Sequence, residues 1–458
     1  MATLTKKQKD FTSGPMFSKM ILFTLPVIAT SVLQLLFNTA DTFVVGNWGG
    51  ATPEAREAAL AAVGSCGSLT SLLTGLFLGL SVGAGVTVAH AIGAKNEREI
   101  GKTVHTSVVI SLICGIVVSV FGIIFARPLL SLMGTPPTVL DEAAPYMRAC
   151  FCGMTANMLY NYCAAILRST GNTMGPLFFL SVAGVVNVGL NLVMVLVFHM
   201  GALGVGIATA ASHWVSCILV VTYMMRMDGP CKIEPRKLCI SKPQLRKMIL
   251  IGLPAGIQST LFAISNVTIQ ASINSFHSNA VIAGNTAASN LDSYVYFAQN
   301  GLYHTALTFV GQNLGANKYE RVKKAIIYAL LCVCVVGILL GTTVFLFGRP
   351  LLSIFNDSPA VVDAGMVRLT YLCLPYFLCG AMEVGSGTLR GLGKSMTSMI
   401  ISLIGACFLR LLYLATVFKM LHTTRVLYLS YPLSWILTTI ALFLFVFIEL
   451  RRWKRTMT

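Results

Sequence analysis

A carboxylate lies inside a long apolar run near the start of the chain. The run from Leu25 to Asn47 reads LPVIATSVLQLLFNTADTFVVGN. Four of its polar residues are three, four and three positions apart: Ser31, Gln34, Asn38 and Asp41. A helix places residues at this spacing on one stripe. An acid at membrane depth is costly and is typically kept for an ion or substrate pathway. The pattern therefore predicts such a site at Asp41, with hydrogen bonding between helices as the structural alternative.

The composition is that of a polytopic membrane protein. The 458 residues are 55% hydrophobic and only 11% charged, whereas a typical soluble domain has about 25% charged residues. Apolar runs of about 20 residues indicate spanning helices. Twelve are predicted, at residues 17–45, 58–88, 103–126, 138–165, 173–198, 201–225, 246–273, 280–311, 324–347, 361–388, 396–418 and 426–450. The predicted fold class is an all-α membrane protein of twelve transmembrane helices in two six-helix lobes, related by a pseudo-two-fold axis along the membrane normal.

The formal net charge of +17 is explained by membrane topology. If the amino terminus is inside, few basic residues fall outside: Arg56, Arg127, Arg148, Arg349, Arg368, Lys419 and Arg425. Arg410 falls within a span, and the other Lys and Arg residues, including Lys6, Lys7 and Lys9, fall inside. This distribution predicts a plasma (cell inner) membrane protein with both termini in the cytoplasm. We expect a monomer in the lipid bilayer, with no nucleic-acid partner.

The two halves of the chain repeat each other. The segment RPLLS recurs 222 positions later, at Arg127–Ser131 and Arg349–Ser353. Three dipeptides also recur, and all four matches have the same order in both halves. Gly93-Ala94 matches Gly315-Ala316 and Leu167-Arg168 matches Leu389-Arg390, both at the offset of 222, and Leu25-Pro26 matches Leu253-Pro254 at an offset of 228. The predicted domains are an amino-terminal lobe (1–225), a basic cytoplasmic linker (226–245) and a carboxy-terminal lobe (246–458). Parallel repeats with a cavity between them favour a carrier that works by alternating access.

Motifs in both halves resemble the bacterial multidrug and toxic compound extrusion (MATE) family of transporters. They are FNTADTFVVGNWGG, GLSVGAGVTVAHAIGAKNE, NYCAAILRSTGN, AGVVNVGLN, LTFVGQNLGA and MEVGSGTLRGLGKS. The resemblance covers nearly the whole chain. It implies a two-lobed exporter of drug-like or toxic organic compounds, often cationic, in exchange for protons or sodium.

The resemblance also implies where the coupling ion binds. In one branch of the family an aspartate on the first helix forms a site in the amino-terminal lobe, and Asp41 matches it. That branch has an asparagine followed four residues later by an aspartate on the fifth helix, and a threonine on the sixth. The matching residues here are Asn187, Asn191 and Thr209, so the second acid is replaced by an amide.

Two further departures from the family pattern concern the aromatic residue and the other lobe. Phe37 stands where an aromatic commonly precedes the aspartate, and it lacks a hydroxyl. The acid that another branch carries early in the seventh helix is missing, since Gln258 and Ser259 occupy that region. The 228-residue offset aligns Ile269 with Asp41. The predicted coupling site is therefore confined to one lobe.

The predicted coupling residues are Asp41, Asn38, Asn187, Asn191 and Thr209. Their oxygens could coordinate a sodium ion at Asp41, although with a single carboxylate we favour a proton. No cofactor and no other metal site are predicted, because the thirteen cysteines show no zinc-binding spacing.

Three charges are predicted inside spans of the second half: Asp292, Glu383 and Arg410. At about 1.5 Å per residue, Asp292 and Arg410 lie at similar depths, which predicts an ion pair, structural or substrate-binding. Glu383 has no predicted partner. The predicted substrate cavity is lined by Gln34, Asn161, Asn266, Asp292, Glu383 and Arg410.

Alternative functions are a flippase for lipid-linked precursors, a membrane-embedded enzyme and a receptor. Flippases of the wider superfamily carry a strongly cationic cavity, and Arg410 is the only base predicted at mid-membrane. HExxH and Walker motifs are missing from the sequence, which disfavours a metalloprotease-type enzyme and ATP-driven transport.

Overall fold

The computed structural model describes residues 10–50, 52–133, 135–355 and 358–457, and the described residues form helices and no strands. Lys6, Lys7 and Lys9 lie outside the described residues. The helices are α1 (Met16–Trp48), α2 (Pro53–Gly93), α3 (Glu97–Leu132), α4 (Pro137–Cys152), α5 (Met154–Ser169), α6 (Met174–Leu192), α7 (Gly201–Arg226), α8 (Lys242–Asn274), α9 (Asn279–Gly315), α10 (Tyr319–Leu346), α11 (Gly348–Ser353), α12 (Pro359–Cys373), α13 (Tyr376–Gly391), α14 (Ser395–Ser402), α15 (Leu409–Tyr413) and α16 (Thr424–Met457). Short π-helical segments are Val193–Val197, Leu403–Phe408 and Leu414–Phe418, and Pro235–Lys237 is a 3-10 turn.

All twelve predicted spans lie on helices. Within the described residues, nine helices are long and apolar enough to cross a membrane, and a tenth span is counted if α12 and α13, bent by 45°, form one. The other two predicted spans have a physical reason for failing this test. Span 138–165 is interrupted at Gly153, and span 280–311 carries buried polar side chains such as Asn285 and Gln299. The all-helical membrane fold is confirmed.

Local capping residues determine where several helices begin. The hydroxyl of Thr52 accepts a hydrogen bond from the backbone N–H of Ala55 at 3.2 Å, and Pro53 occupies the first turn of α2. Asn96 accepts from the N–H of Glu99 at 3.1 Å at the start of α3. These bonds satisfy backbone donors that a helix leaves unpaired at its amino end.

The chain forms two compact units whose boundaries differ from the predicted lobes. The first contains Val32–Gly256, and the second contains Phe11–Ser31 and the chain from Ile257 onward. The division therefore falls inside α1 and α8, not in the predicted linker at 226–245. In the second unit, the Thr24 hydroxyl lies 2.8 Å from that of Thr305, which joins α1 to α9.

The internal repeat is visible in the ion pairs and turns of each unit. Arg127 pairs with Asp141 at 3.0 Å, and Arg349 pairs with Asp363 at 2.8 Å. Both members of the second pair lie 222 positions after their counterparts. The same offset relates two pairs of left-handed turn residues, Lys95 with Asn317 and Gly171 with Gly393. It also relates the break between α4 and α5 to the break between α12 and α13.

Glycines of α2 bring its backbone against the first turns of α8 within the first unit. A Cβ atom at Gly83 would lie 2.1 Å from the carbonyl oxygen of Met248, and one at Gly79 would lie 2.2 Å from the backbone nitrogen of Gly256. Neither position can take a side chain unless the helices separate. This is the close packing that small residues allow between membrane helices.

We expect Gly83→Ala to destabilise the protein by about 1–3 kcal/mol, the usual cost of overpacking. Gly64→Ala in the same helix is the matched control, because a Cβ there meets nothing within 4 Å. Alanine is favoured over glycine in a helix by about 1 kcal/mol, so the control should be neutral or stabilising. Thermal unfolding in detergent, monitored by maleimide labelling of buried thiols such as Cys163, measures the melting temperatures of both variants. Equal melting temperatures for the two variants would contradict this packing.

Candidate functional site

Asp41 is a buried acid held by hydrogen bonds from two other helices. Its side chain on α1 is 8% exposed. The amide of Asn191 on α6 donates to Oδ1 at 2.5 Å, and the hydroxyl of Thr209 on α7 donates to Oδ2 at 3.2 Å. Both carboxylate oxygens thus accept a hydrogen bond. Three helices of the first unit meet at one ionisable group.

Asn187 and Asn191 are one turn apart on α6 and both are buried. The Nδ2 of Asn191 also lies 3.2 Å from the Oδ1 of Asn187. The Oδ1 of Asn191 is buried and, among the described residues, has no hydrogen-bond partner. A buried polar atom without a partner costs free energy, so the site retains an acceptor that a protonated or cationic group can use.

A glycine lets α1 approach α6 beside this site. The ring of Phe37 occupies the space where a Cβ of Gly184 would be, with Cζ only 1.6 Å from that position. Gly184 lies three positions before Asn187, and therefore on the same face of α6. Beyond Asn191 the helix widens into the π-helical segment Val193–Val197, and such segments are frequent at functional sites.

The hydroxyl of Thr209 has a second acceptor. Its Oγ1 lies 3.2 Å from Oδ2 of Asp41 and 2.9 Å from the carbonyl oxygen of Val205. A hydroxyl has one hydrogen and can also accept a bond. Thr209 can therefore donate to an ionised Asp41, or turn to Val205 and accept from a protonated Asp41.

Other polar residues predicted in the first unit lie apart from this network. Gln34 and Asn38 share a stripe with Asp41 but have exposed side chains, and no hydrogen bond of the described residues joins Asn38 to Asp41. Asn161 on α5 donates to both the backbone oxygen and the side-chain oxygen of Asn157 at 2.8 Å. Of the amides predicted at Asp41, Asn191 bonds to it directly and Asn187 lies next to Asn191, whereas Asn38 lies apart.

Asp292 in the second unit pairs with Arg368, not with Arg410. Two nitrogens of Arg368 on α12 lie 2.8 and 2.9 Å from Oδ2 of Asp292 on α9. Arg368 also donates to Oδ1 of Asn285 at 2.7 Å, and Tyr428 donates to the same oxygen at 3.1 Å. The predicted Asp292–Arg410 pair is therefore wrong, and Arg368, which the sequence placed among the outside basic residues, has its guanidinium buried.

Arg410 contacts neutral groups. It is 7% exposed, and its Nε and a terminal nitrogen donate to the hydroxyl of Ser434 at 3.2 and 2.7 Å. Its guanidinium carbon lies 4.2 Å from the ring centre of Tyr431. The ion pairs formed by the described residues include none with Arg410.

A third buried arginine lies on α13. Arg390 donates to the hydroxyl of Tyr303 at 2.6 Å and to Oε1 of Gln258 at 2.8 Å. Glu383, on the same helix, is half-buried and lies within electrostatic range of Arg390 and Tyr296. Asn266, the remaining predicted cavity residue, is exposed on α8. In addition to Arg410, the second unit therefore buries an arginine on α12 and another on α13.

Several residues that contact the buried charges were missed from the sequence, although the repeat carries a signal for some of them. The offset of 222 aligns Thr209 with Tyr431, which stacks on Arg410. The same offset aligns Ser212 with Ser434, whereas no comparable signal marks Asn285. Among the described residues, no group of three or more His, Cys, Asp or Glu side chains could hold a metal ion.

Comparison with known proteins gives consistent matches along both halves. The family model described as MatE matches residues 26–193 and 254–416. The probable multidrug resistance protein YoeA of Bacillus subtilis is 28% identical over 391 residues, which cover 84% of this chain and 83% of that protein. An FAD transporter of Shewanella oneidensis is 26% identical over 95% of each chain. The fold is similar to the outward-facing structure of a multidrug resistance MATE family transporter, with a TM-score of 0.90 at 19% identity over 98% of this chain and 99% of that one.

Proposed function

Because the chain belongs to the MatE family of multidrug efflux transporters, we propose that it is a secondary active exporter of the plasma membrane. It exchanges amphipathic organic cations for protons, with sodium as the second candidate ion, by alternating access. Both termini are cytoplasmic in this proposal, as the distribution of basic residues favours. The transporter works as a monomer, binds drug-like small molecules and needs no cofactor.

The main support for the proposal is that the buried carboxylate of Asp41 is hydrogen-bonded to both α6 and α7. Ionisable groups inside membrane helices mark ion and substrate pathways. A carboxylate bonded to two other helices changes those bonds when it binds a cation. Binding of the coupling ion at Asp41 can therefore alter the packing of α1 and so release a cationic solute.

The hydrogen bonds at Asp41 favour a proton over sodium. A proton on Oδ2 donates to Oγ1 of Thr209, whose own hydrogen turns to the carbonyl oxygen of Val205. Each polar group keeps a partner through this exchange. A sodium ion would instead have to displace two donors, from Asn191 and Thr209, and gather several oxygens around one carboxylate.

Thr209→Val tests this exchange. The variant keeps the shape of threonine but removes the hydroxyl, so a protonated Asp41 loses its acceptor. Leaving a buried donor unpaired costs about 1–3 kcal/mol, and we expect efflux at neutral pH to fall about tenfold or more. Thr209→Ser is the matched control and should keep most of the activity. Activity of the valine variant equal to that of the serine variant would exclude the proposed role of Thr209.

The proposed function is tested by accumulation of ethidium in cells with and without the protein. We expect lower accumulation in the cells that carry it, and an effect that depends on external pH and not on sodium. An effect that depends on sodium alone would favour sodium as the coupling ion. Equal accumulation under all conditions would contradict export of amphipathic cations, and a flippase for lipid-linked precursors would then be the alternative.

A further inference from the structure

We propose that the second unit holds a binding site for an anionic group, phosphate or carboxylate, built around Arg410. The inference extends the proposed function, since it assigns a second class of chemical group to the exported solute. Solutes bound here would be anionic or zwitterionic, and the site would be separate from the acid in the first unit.

The internal repeat relates Arg410 to the Asp41 site. The offset of 222 aligns Val188, between Asn187 and Asn191, with Arg410, and it aligns Thr209 with Tyr431. The 228-residue offset of the first helices aligns Asp41 with Ile269, which is buried. The offset of 222 aligns Asn187 with Leu409 and Asn191 with Tyr413, so the second unit has a guanidinium next to the counterpart of Asn187 and an apolar residue at the counterpart of Asp41.

No acidic side chain in the described part of the chain forms an ion pair with Arg410. Ser434 accepts two of its hydrogen bonds, and a guanidinium has five N–H donors. A buried charge is costly unless it is paired. Arg368 in the same unit shows the paired arrangement, with Asp292 at 2.8 Å. This contrast indicates that Arg410 is kept for a partner that arrives from outside the chain.

The helix that carries Arg410 is irregular on both sides of it. The single turn α15 lies between the π-helical segments Leu403–Phe408 and Leu414–Phe418. The π-helical segment after Asn191 in the first unit, shifted by 222, overlaps the second of these. Such segments are frequent at functional sites. The irregularity therefore accompanies a candidate binding residue in each unit.

The chemistry of the groups selects the ligand. The planar fork of a guanidinium matches phosphate and carboxylate oxygens and forms paired hydrogen bonds with them. Aromatic side chains pack beside it, with ring centres 5.8 Å apart for Tyr431 and Trp435 and 5.3 Å apart for Tyr376 and Trp435. A solute with an oxyanion and an aromatic body fits these groups. The phosphate of an anionic lipid shares the same oxyanion chemistry.

The test uses Trp435 as a local reporter in the full-length protein, with Trp48, Trp214 and Trp453 replaced by phenylalanine. Inorganic pyrophosphate and FAD are titrated in detergent without anionic lipid, and tryptophan fluorescence is measured. We expect a saturable change with either probe. Arg410→Gln should weaken the affinity at least tenfold, Arg410→Lys should lie in between, and Arg349→Gln, which changes an exposed arginine of the same unit, should leave it unchanged.

Two further experiments distinguish a soluble anion from a lipid headgroup, and keep the proposal testable if Arg410→Gln does not fold. In nanodiscs of phosphatidylcholine alone, phosphatidylglycerol is added in place of the soluble probes. A response to this lipid only, removed by Arg410→Gln, supports the anion site and assigns the headgroup as its occupant. Ser434→Ala, which frees the guanidinium from the hydroxyl that orients it, should weaken binding severalfold even if Arg410→Gln does not fold.

The proposal is overturned if folded Arg410→Gln binds the probes as tightly as its parent. It is also overturned if the parent shows no saturable change with the soluble probes or the lipid. Because no ion gradient is used, these failures are distinct from a failure of ethidium export.

Discussion

Asp41→Asn is expected to reduce gradient-driven efflux at least tenfold while leaving the fold intact. The substitution keeps the size of the side chain and its ability to bond Asn191 and Thr209, but it removes the group that binds the coupling ion. Because the network of the first unit has a single carboxylate, no neighbour can replace it. Efflux of ethidium from proteoliposomes under an imposed pH gradient measures the effect.

The matched control for this prediction is Asn38→Ala. Asn38 lies one turn from Asp41 on the same stripe, yet its side chain is exposed and no hydrogen bond of the described residues joins it to Asp41. The control should retain most of the efflux. If the Asp41 variant kept the rate of the control, the acid would have to be structural.

The second large effect is expected on stability, at the ion pair of Asp292 and Arg368. Arg368→Met leaves Asp292 as an unpaired buried charge, which typically costs about 3–5 kcal/mol. Arg349→Met is the control, since its pair with Asp363 has a similar distance of 2.8 Å but side chains that are 67% and 60% exposed. Exposed pairs contribute about 1 kcal/mol or less.

Thermal unfolding in detergent compares the two arginine variants. The double variant Arg368→Met, Asp292→Leu should recover part of the lost stability, because it removes the orphaned charge. Equal losses for Arg368→Met and Arg349→Met would show that the buried pair contributes no more than a surface pair.

The first-unit site could be predicted in outline from the sequence because its signal is strong. An acid in an apolar run is visible without a structure, and the resemblance to the MATE family pointed to Asn187, Asn191 and Thr209. The stripe could not show that Asn38 is exposed while Asp41 is buried. Helical spacing fixes which residues share a face, whereas burial depends on the helices that cover it.

The charges of the second unit were harder to predict for a related reason. Counting residues along a helix estimates depth, which suggested that Arg410 and Asp292 are partners. Depth does not determine which way a side chain points around its helix, and Asp292 contacts Arg368 on α12. The repeat also showed that the chain is duplicated, but α1 and α8 each divide between the two units. Those divisions depend on contacts distant in sequence, such as that of Thr24 with Thr305.

Proton movement driven by the solute tests coupling at Asp41 most directly. Proteoliposomes loaded with a pH-sensitive dye receive an ethidium gradient without an imposed pH gradient, and internal pH is followed with and without sodium. We expect a saturable pH change that requires ethidium, is independent of sodium and is lost in Asp41→Asn. A pH change of the same rate in Asp41→Asn would contradict it, as would ethidium transport that moves sodium and no protons.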